Sequence, residues 1–320
     1  VLDEGNDGEL QAFALDRAAL GHERLPDKRA QAPDVALSFF IMTVDLHTHT
    51  NASDGALTPE ALVELARASG VTLLSVTDHD TAAGCPRAQK AAEKAGIAFI
   101  PGVELSVRWG GTVLHVVGLG IGPEDPLVVE RFRETARLRA ERGVKMGEAF
   151  EAIGLSGAYE GALARADSPE TLSRTHFAAW LLETGVVKNQ QQAFDRYLRE
   201  GGPAYVEAPW PLLEEGVRFL LDRGALPVLA HPGRYRLRRG WESDAMIDAF
   251  LAAGGRAIEV TSGSQSEEAN VYFAQVARDR KLFASTGSDW HSDRSPRPRP
   301  GCQPPLPPDL TPVWTLFGFS

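Results

Sequence analysis

The chain has 320 residues, of which 43% are hydrophobic, and a formal net charge of −10. This charge excludes a general nucleic-acid-binding protein, which normally presents a basic surface. The two cysteines, Cys85 and Cys302, lie in no CxxC-type motif, so no disulfide framework is indicated. No apolar run approaches the ~20 residues needed to cross a bilayer. Together these features predict a cytoplasmic protein with a large core.

The first 42 residues differ from the rest of the chain. They include a charged leader followed by the short apolar run 35–41, without the flanks of a signal peptide. Met42 stands directly before the first strong strand. We therefore predict that residues 1–42 are an extension outside the fold.

From Thr43 onward, short apolar runs alternate with helical stretches, a pattern typical of βα units. Thr58 and Pro59 indicate a helix start, and Gly96 indicates a helix end. Gly110-Gly111 between two apolar runs predicts a hairpin. The sequence predicts strands at 43–46, 71–76, 97–101, 103–109 and 112–119, with helices at 58–69 and 82–95.

The alternation is then interrupted by residues 123–206, which read as helices at 126–154, 173–184 and 188–200. It resumes with helices at 212–223, 243–253 and 267–280 and strands at 227–230, 257–261 and 282–286. We predict an α/β barrel formed by 43–122 and 207–291, with 123–206 as a helical insertion. Residues 292–320 form a Pro/Arg-rich tail with no clear element.

Histidines and carboxylates cluster just after the predicted strands. Histidine is the commonest neutral nitrogen ligand of metals, and Asp and Glu supply anionic oxygens. Active sites of parallel barrels lie at the C-terminal ends of their strands. A single HxH pair is weak evidence, but recurrence at one position of several βα units predicts a multi-metal hydrolytic site. The candidates are His47, His49, Asp54, His79, Glu104, His115, His231, Asp289 and His291.

These residues occur in the motifs D-L-H-T-H-x4-D-G, T-D-H-D, G-V-E, H-V-V-G, A-H-P and G-S-D-W-H. In this the chain resembles the polymerase-and-histidinol-phosphatase family, called PHP, from about Thr43 to His291. The resemblance implies a distorted (β/α)7 barrel and three divalent metal ions, with Mn²⁺ favoured over Fe²⁺ or Zn²⁺. It implies a first metal at His47, His49, Glu104 and Asp289, a second at Glu104, His115 and His231, and a third at Asp54, His79 and His291.

Such a centre suits a substrate with concentrated negative charge, because metals activate water and clamp the oxygens of a displacement at phosphorus. The expected nucleophile is a metal-bridging hydroxide, with Glu104, Asp289 and His231 as catalytic residues acting through it. Arginine binds phosphate through a bidentate fork. We therefore predict substrate contacts from Arg174 and His176 at a helix start, and from Arg139 and Arg142 on the long helix. Tyr205 or Trp210 can stack on a base, but a core role is equally compatible with the sequence.

Within the family, S-R-T-H-F at 173–177, G-G-P-A-Y-V at 201–206 and A-H-P-G-R-Y at 230–235 resemble one branch. It comprises 3′,5′-nucleotide bisphosphate phosphatases and similar 5′-to-3′ exonucleases of short RNA. The resemblance implies hydrolysis of the 3′-phosphate of nucleoside 3′,5′-bisphosphates, with 5′-to-3′ exoribonuclease action on short RNA as the alternative. A non-catalytic PHP module of a polymerase assembly and an amidohydrolase acting on C–N bonds are the other readings. No membrane or stable protein partner is indicated.

Overall fold

The computed structural model describes residues 42–166, 168–208, 210–235, 237 and 241–320. The predicted extension therefore lies outside the described residues, apart from Met42. Within the described ranges, none of the helices combines the length and apolar character needed to cross a membrane.

Two sheets form the centre of the fold. Strands β1 (Val44–Asp45), β2 (Leu73–Leu74) and β3 (Ala98–Phe99) make a three-stranded parallel sheet in that order. The second sheet has five strands in chain order: β4 (Gly102–Trp109), β5 (Thr112–Leu119), β6 (Leu226–Leu229), β7 (Ala257–Ser262) and β8 (Phe283–Gly287). Strand β5 is antiparallel to both β4 and β6, whereas β6, β7 and β8 are parallel.

The edges of the two sheets meet, which gives a distorted barrel. On one side Thr48 bridges to Trp290, and the Leu46 amide donates to the Thr286 carbonyl. On the other side His79, after β2, bridges in parallel to Glu104 of β4. Strands β3 and β4 are separated only by residues 100–101 and both run parallel to the β2 segment, so they act as one interrupted strand. Counted this way, the barrel has the seven strands expected.

The hairpin prediction at Gly110-Gly111 is confirmed. Both glycines have positive φ, 52° and 81°, and β4 and β5 pair from Gly102–Leu119 to Trp109–Thr112. Two successive positive φ angles are the geometry of the tight turn that matches strand twist. The long antiparallel pair that results projects Glu104 and His115 from neighbouring strands.

Helices surround the sheets at the positions where apolar periodicity predicts them. Helix α1 begins after Thr58, whose side chain accepts from the Ala61 amide, and α2 ends at Gly96 in the left-handed conformation. The described helices of the barrel are α1 (Pro59–Ala68), α2 (Cys85–Ala95), α7 (Leu213–Asp222), α8 (Trp241–Ala252) and α9 (Glu267–Asp279).

The segment between β5 and α7 is helical and has its own hydrophobic core. Its helices are α3 (Pro126–Ala152), α4 (Ala158–Leu163), α5 (Arg174–Glu183) and α6 (Gln190–Ala193), the last continuing into a π-helical turn, Phe194–Leu198. Phe150 stacks on Phe177 at 5.6 Å and meets Trp180 edge-on. Because each buried aromatic side chain contributes about 1.5–3 kcal/mol, this cluster can stabilise the helical segment.

Residues 292–312 of the Pro/Arg-rich tail pack against the barrel although they contain almost no regular structure. The Gly301 amide donates to Asp45 Oδ2 at 3.0 Å, and Gln303 Nε2 donates to the Val44 carbonyl at 2.8 Å. The Ala284 amide donates to the Thr311 carbonyl at 2.8 Å. The tail up to residue 312 therefore supports the first and last strands, which carry candidate metal ligands.

Candidate metal centre

Glu104 lies at the middle of a group of histidines. Its Oε1 is 2.8 Å from Nδ1 of His115 and 2.8 Å from Nε2 of His231. Its Oε2 lies 3.2 Å from His47 Nε2, 3.3 Å from His49 Nε2 and 3.0 Å from His79 Nδ1. The side chain is completely buried. One carboxylate thus faces five imidazoles through both of its oxygens, which is the placement a bridging ligand requires.

Three sets of donor atoms lie close enough to hold an ion each. His47, His49, Glu104 and Asp289 form the first, and Asp289 Oδ1 is 3.2 Å from His49 Nε2. The second contains His79, Glu104 and His115. His231 lies at Glu104 Oε1, the oxygen that also faces His115. The third set is His49, Asp54, His79 and His291. The structure therefore brings all nine sequence-predicted candidates together, with His49, His79 and Glu104 shared between sets.

The donor atoms fit divalent cations. Among the described residues, most of the buried side-chain nitrogen and oxygen atoms without a hydrogen-bond partner lie at this centre. A buried polar atom without a partner costs about 1–3 kcal/mol, so this concentration needs a compensating ligand. Mixed imidazole and carboxylate donors suit several divalent metals. The atoms are His47 Nε2, both ring nitrogens of His49, His79 Nδ1, Glu104 Oε2, His115 Nδ1, His231 Nδ1 and Asp289 Oδ2.

The charge states of three of the histidines favour ligation, whereas at His47 and His291 the facing carboxylates outweigh burial and raise the pKa. Burial lowers the pKa of His49 to about 4, helped by the charge of His291, and burial likewise lowers the pKa values of His79 and His231. These rings are therefore neutral at neutral pH, the form that binds metals. Burial alone would raise the pKa of Glu104, but the facing histidines hold that pKa well below its usual range. The carboxylate is therefore anionic.

Backbone strain gathers at the same place. Asp80, His231 and Asp289 have φ angles of 52°, 28° and 51°, a region that side chains other than glycine rarely adopt. Each such residue costs on the order of 1–3 kcal/mol and persists only where its surroundings hold it. Two of these residues are candidate ligands and the third follows candidate ligand His79, whereas Lys281, the fourth described residue of this kind with a φ of 53°, is not a candidate ligand.

Glu259, on β7, was missed by the sequence reasoning. This buried carboxylate places Oε1 at 3.1 Å from His47 Nδ1 and accepts from the His231 amide through Oε2 at 2.6 Å. A carboxylate on the far nitrogen of a ligand histidine orients the ring and raises its basicity. The only sequence signal is a charged residue inside the apolar run 257–261.

Asp78 and Asp80 flank His79, and the sequence is also compatible with a simple turn-capping role for both. In the structure their carboxylates hold neighbouring segments in place. Asp78 accepts from the Thr50 amide and hydroxyl, both at 2.7 Å, and from the Ser53 hydroxyl at 2.8 Å. It thereby holds the loop that carries Asp54. Asp80 accepts from the Ser106 amide at 2.7 Å and is ion-paired with Arg139. It ties the barrel to the helical segment.

The arginines predicted to contact substrate divide into two kinds. Arg139 is bound to Asp80 and its guanidinium lies over the Trp210 ring at 5.0 Å. Arg142 and Arg174, in contrast, are in none of the ion pairs that the described residues form. Arg142 Nε donates to the Val206 carbonyl at 2.9 Å. Burial and the neighbouring charge of Arg174 lower the pKa of Arg142 to about 10.

His176 and the two aromatic candidates have structural contacts. The Ser173 amide donates to His176 Nδ1 at 3.1 Å, so this ring helps to cap the start of α5. Trp210 is buried beneath Arg139, which makes a core role the better description of it. Tyr205 is half-buried and lies near Arg142 and Arg174.

Comparison with known proteins agrees with this centre. Residues 45–174 match the model of the PHP domain. The chain is 42% identical over 271 residues to a 3′,5′-nucleoside bisphosphate phosphatase of Chromobacterium violaceum, covering 85% of this chain and 95% of the relative. It is 37% identical over 280 residues to the 5′-3′ exoribonuclease Rnm of Escherichia coli, covering 87% and 94%.

Solved structures give the same picture. A C. violaceum structure described as an amidohydrolase, with bound sulfate and no metal, superposes with a TM-score of 0.79 at 42% identity, covering 86% of this chain and 96% of that one. A metal-dependent phosphoesterase described as putative, from Bifidobacterium adolescentis, superposes with a TM-score of 0.71 at 28% identity, covering 86% and 94%. The fold and centre are those of a metal-dependent phosphoesterase. The chain belongs to the PHP domain family and is a hydrolase of phosphoesters.

Proposed function

We propose that this hydrolase removes the 3′-phosphate from nucleoside 3′,5′-bisphosphates. The observation that carries the proposal is the neighbouring pair Arg142 and Arg174, which is largely buried and takes part in none of the ion pairs that the described residues form. Arg139 contacts Asp80 beside His79, and Arg142 lies three residues further along α3, about 4.5 Å in helical rise. A substrate with one phosphate at the metals can therefore present a second phosphate to this arginine pair.

The donor sets described above would hold three divalent ions. We propose Mn²⁺ as the bound metal, while Fe²⁺ and Zn²⁺ are compatible with the same ligands. Bound metals would activate water and neutralise charge on the reacting phosphate. Glu104 would bridge, since both of its oxygens face histidines. Asp289 and His231 would complete the sets, and Glu259 would keep His47 and His231 oriented.

Arg142 and Arg174 would hold the 5′-phosphate. Both are largely withdrawn from water, and burial lowers the pKa of each. Burying a cation without an anionic partner is unfavourable, so a dianionic phosphate is the ligand that best compensates the pair. Arg139 is a weaker candidate than the sequence suggested, because Asp80 already neutralises it. His176 would act indirectly, by fixing the helix start that carries Arg174.

A second reaction is favoured by the relatives, some of which are 5′-3′ exoribonucleases. The same two phosphate positions would suit the first nucleotides of a 5′-phosphorylated RNA. A non-catalytic PHP module is disfavoured, because all nine candidate ligands lie together at one centre. The phosphatase and phosphoesterase relatives disfavour the hypothesis of an amidohydrolase acting on C–N bonds, although one solved relative is described as an amidohydrolase. The cytoplasmic location expected from the sequence stays a prediction.

Product analysis decides between the two reactions. The metal-loaded protein is incubated with adenosine 3′,5′-bisphosphate or with a 5′-phosphorylated RNA pentamer. The proposal predicts one free phosphate and adenosine 5′-monophosphate from the first substrate, at a higher kcat/KM than for any step on the second. A ladder of mononucleotides from the pentamer, with no phosphate released from the bisphosphate, would replace the proposal by the exoribonuclease.

A further inference from the structure

A cavity of about 330 Å³ opens beside candidate ligands Asp54 and His79. This volume lies in the range of small-molecule sites, which are mostly apolar with a few polar groups. The polar rim includes Ser168, Thr171 and Ser173 from the segment before α5. The apolar wall is made by Ala52, Ala83, Pro123, Val129, Phe132 and Ala136.

The charges around the cavity do not suit a phosphate. The exposed carboxylate of Glu170 lines it and would repel an anion, whereas Asp80 is paired with Arg139 and Asp54 is a candidate metal ligand. The two bordering arginines already face carboxylates, Arg139 with Asp80 and Arg133 with Glu130 at 2.9 Å. The cavity is therefore different in kind from the arginine pair: it can accept an uncharged group and offers carboxylate and hydroxyl oxygens as hydrogen-bond acceptors at its rim.

We propose that this cavity binds the nucleobase of the substrate, an inference that rests on the proposed function. A nucleobase is planar and uncharged. The carboxylate and hydroxyl oxygens at the rim of the cavity can accept hydrogen bonds from its exocyclic amino groups. The wall formed by one face of α3 and the 82–83 loop gives its ring an apolar surface. The two ends of the nucleotide would then bind at chemically different places, the base beside Asp54 and His79 and the 5′-phosphate at Arg142 and Arg174.

Filling the cavity tests this assignment. Ala136 and Ala83 line it from different elements, so Ala136→Trp and Ala83→Trp each place an indole inside it. Ala152→Trp, at the exposed end of the same α3 helix, is the matched control. The metal-loaded proteins are compared on adenosine 3′,5′-bisphosphate and on abasic deoxyribose 3,5-bisphosphate, which carries both phosphates and no base. Far-ultraviolet circular dichroism and metal content verify that each variant is folded and loaded.

The wild type and the Ala152→Trp control should prefer the nucleotide over the abasic compound, by the ratio of their kcat/KM values. Both cavity variants should lower this preference about tenfold, since stacking of one base on a protein surface contributes ~1–3 kcal/mol. Equal kcat/KM for the two substrates in the wild type, or cavity variants that keep the full preference, would overturn the assignment while leaving the phosphatase intact.

Equilibrium binding separates this proposal from the proposed function. Calorimetry with adenosine 5′-monophosphate and deoxyribose 5-phosphate requires no turnover. If neither bisphosphate releases phosphate, the proposed function fails. The cavity assignment then still stands if Ala136→Trp weakens adenosine monophosphate binding about tenfold, and falls if it does not.

Discussion

Glu259 supports His47 on the side of the ring that faces away from Glu104. Its Oε1 lies 3.1 Å from His47 Nδ1, while the other ring nitrogen, Nε2, lies 3.2 Å from Glu104 Oε2. The imidazole is therefore fixed in plane between a supporting carboxylate and the metal-facing carboxylate. Through Oε2 the same Glu259 side chain also accepts from the strained His231 backbone. One buried residue thus positions two candidate ligands without being a ligand itself.

Replacing Glu259 with Gln should weaken metal binding about 10–100-fold, the usual effect of losing such a supporting partner. The amide keeps the shape of the carboxylate but lacks its charge, so His47 loses basicity while the fold is retained. Metal titration by calorimetry measures the change directly. Glu267→Gln, an exposed substitution at the start of α9, is the control and should bind metal like the wild type. Unchanged metal affinity in Glu259→Gln would contradict the positioning role.

Replacing Arg174 with Ala should raise KM for a nucleoside 3′,5′-bisphosphate about 10–100-fold with a smaller effect on kcat, because a lost charged hydrogen bond costs about 1.5–3 kcal/mol. Nucleoside 3′-monophosphates, which lack the 5′-phosphate, should be affected little. Arg174→Lys should recover part of the loss by keeping the charge. Lys188→Ala, on the exposed surface before α6, is the control. An equal loss on substrates with one and two phosphates would refute this assignment.

The Asp78 carboxyl predicts a defined pH dependence of stability. Burial raises its pKa from 3.8 to about 6, against the hydrogen bonds from Thr50 and Ser53. A carboxyl group with a higher pKa in the folded than in the unfolded chain favours folding when protonated. Its contribution is therefore greatest below the unfolded pKa and is lost as the pH rises through about 6.

The comparison with Asp78→Asn isolates this effect, since the amide does not titrate. The unfolding free energy of the metal-free wild type, relative to the variant, should fall between about pH 4 and about pH 7, by at most about 3 kcal/mol. Urea denaturation at several pH values gives both quantities. A difference that stays constant or increases over this range would show that Asp78 is ionised in the fold at all these pH values.

Much of the centre was predictable because its ligands follow strands in short motifs. The βα alternation places His47, His79, His231 and Asp289 at one end of the barrel, and parallel strands bring such ends together. The strand lengths were less predictable: the run 71–76 forms regular ladder pairs only at Leu73–Leu74. The distortion of the barrel limits the hydrogen-bond ladder at this strand. Hydrophobic patterning cannot predict such a distortion.

Partners that are distant in sequence were not predictable from one chain. Glu259 and His47 are 212 positions apart, and Asp80 and Arg139 are 59 apart. Neither pair has a local pattern, because their contacts arise only from barrel closure and from the packing of α3 on the barrel. For the same reason, Arg139 resembled Arg142 in sequence spacing although only Arg139 faces a carboxylate.

The central claim is that Glu104 unites the histidines into one metal centre, and the most direct test is the metal content of Glu104→Gln. Metals in the wild type and the variant are counted by inductively coupled plasma mass spectrometry, alongside phosphate release. The wild type should hold up to three divalent ions per chain. The variant should lose most of them together with its activity, because the shared bridge loses its charge. Unchanged metal content with full activity in Glu104→Gln would contradict the claim.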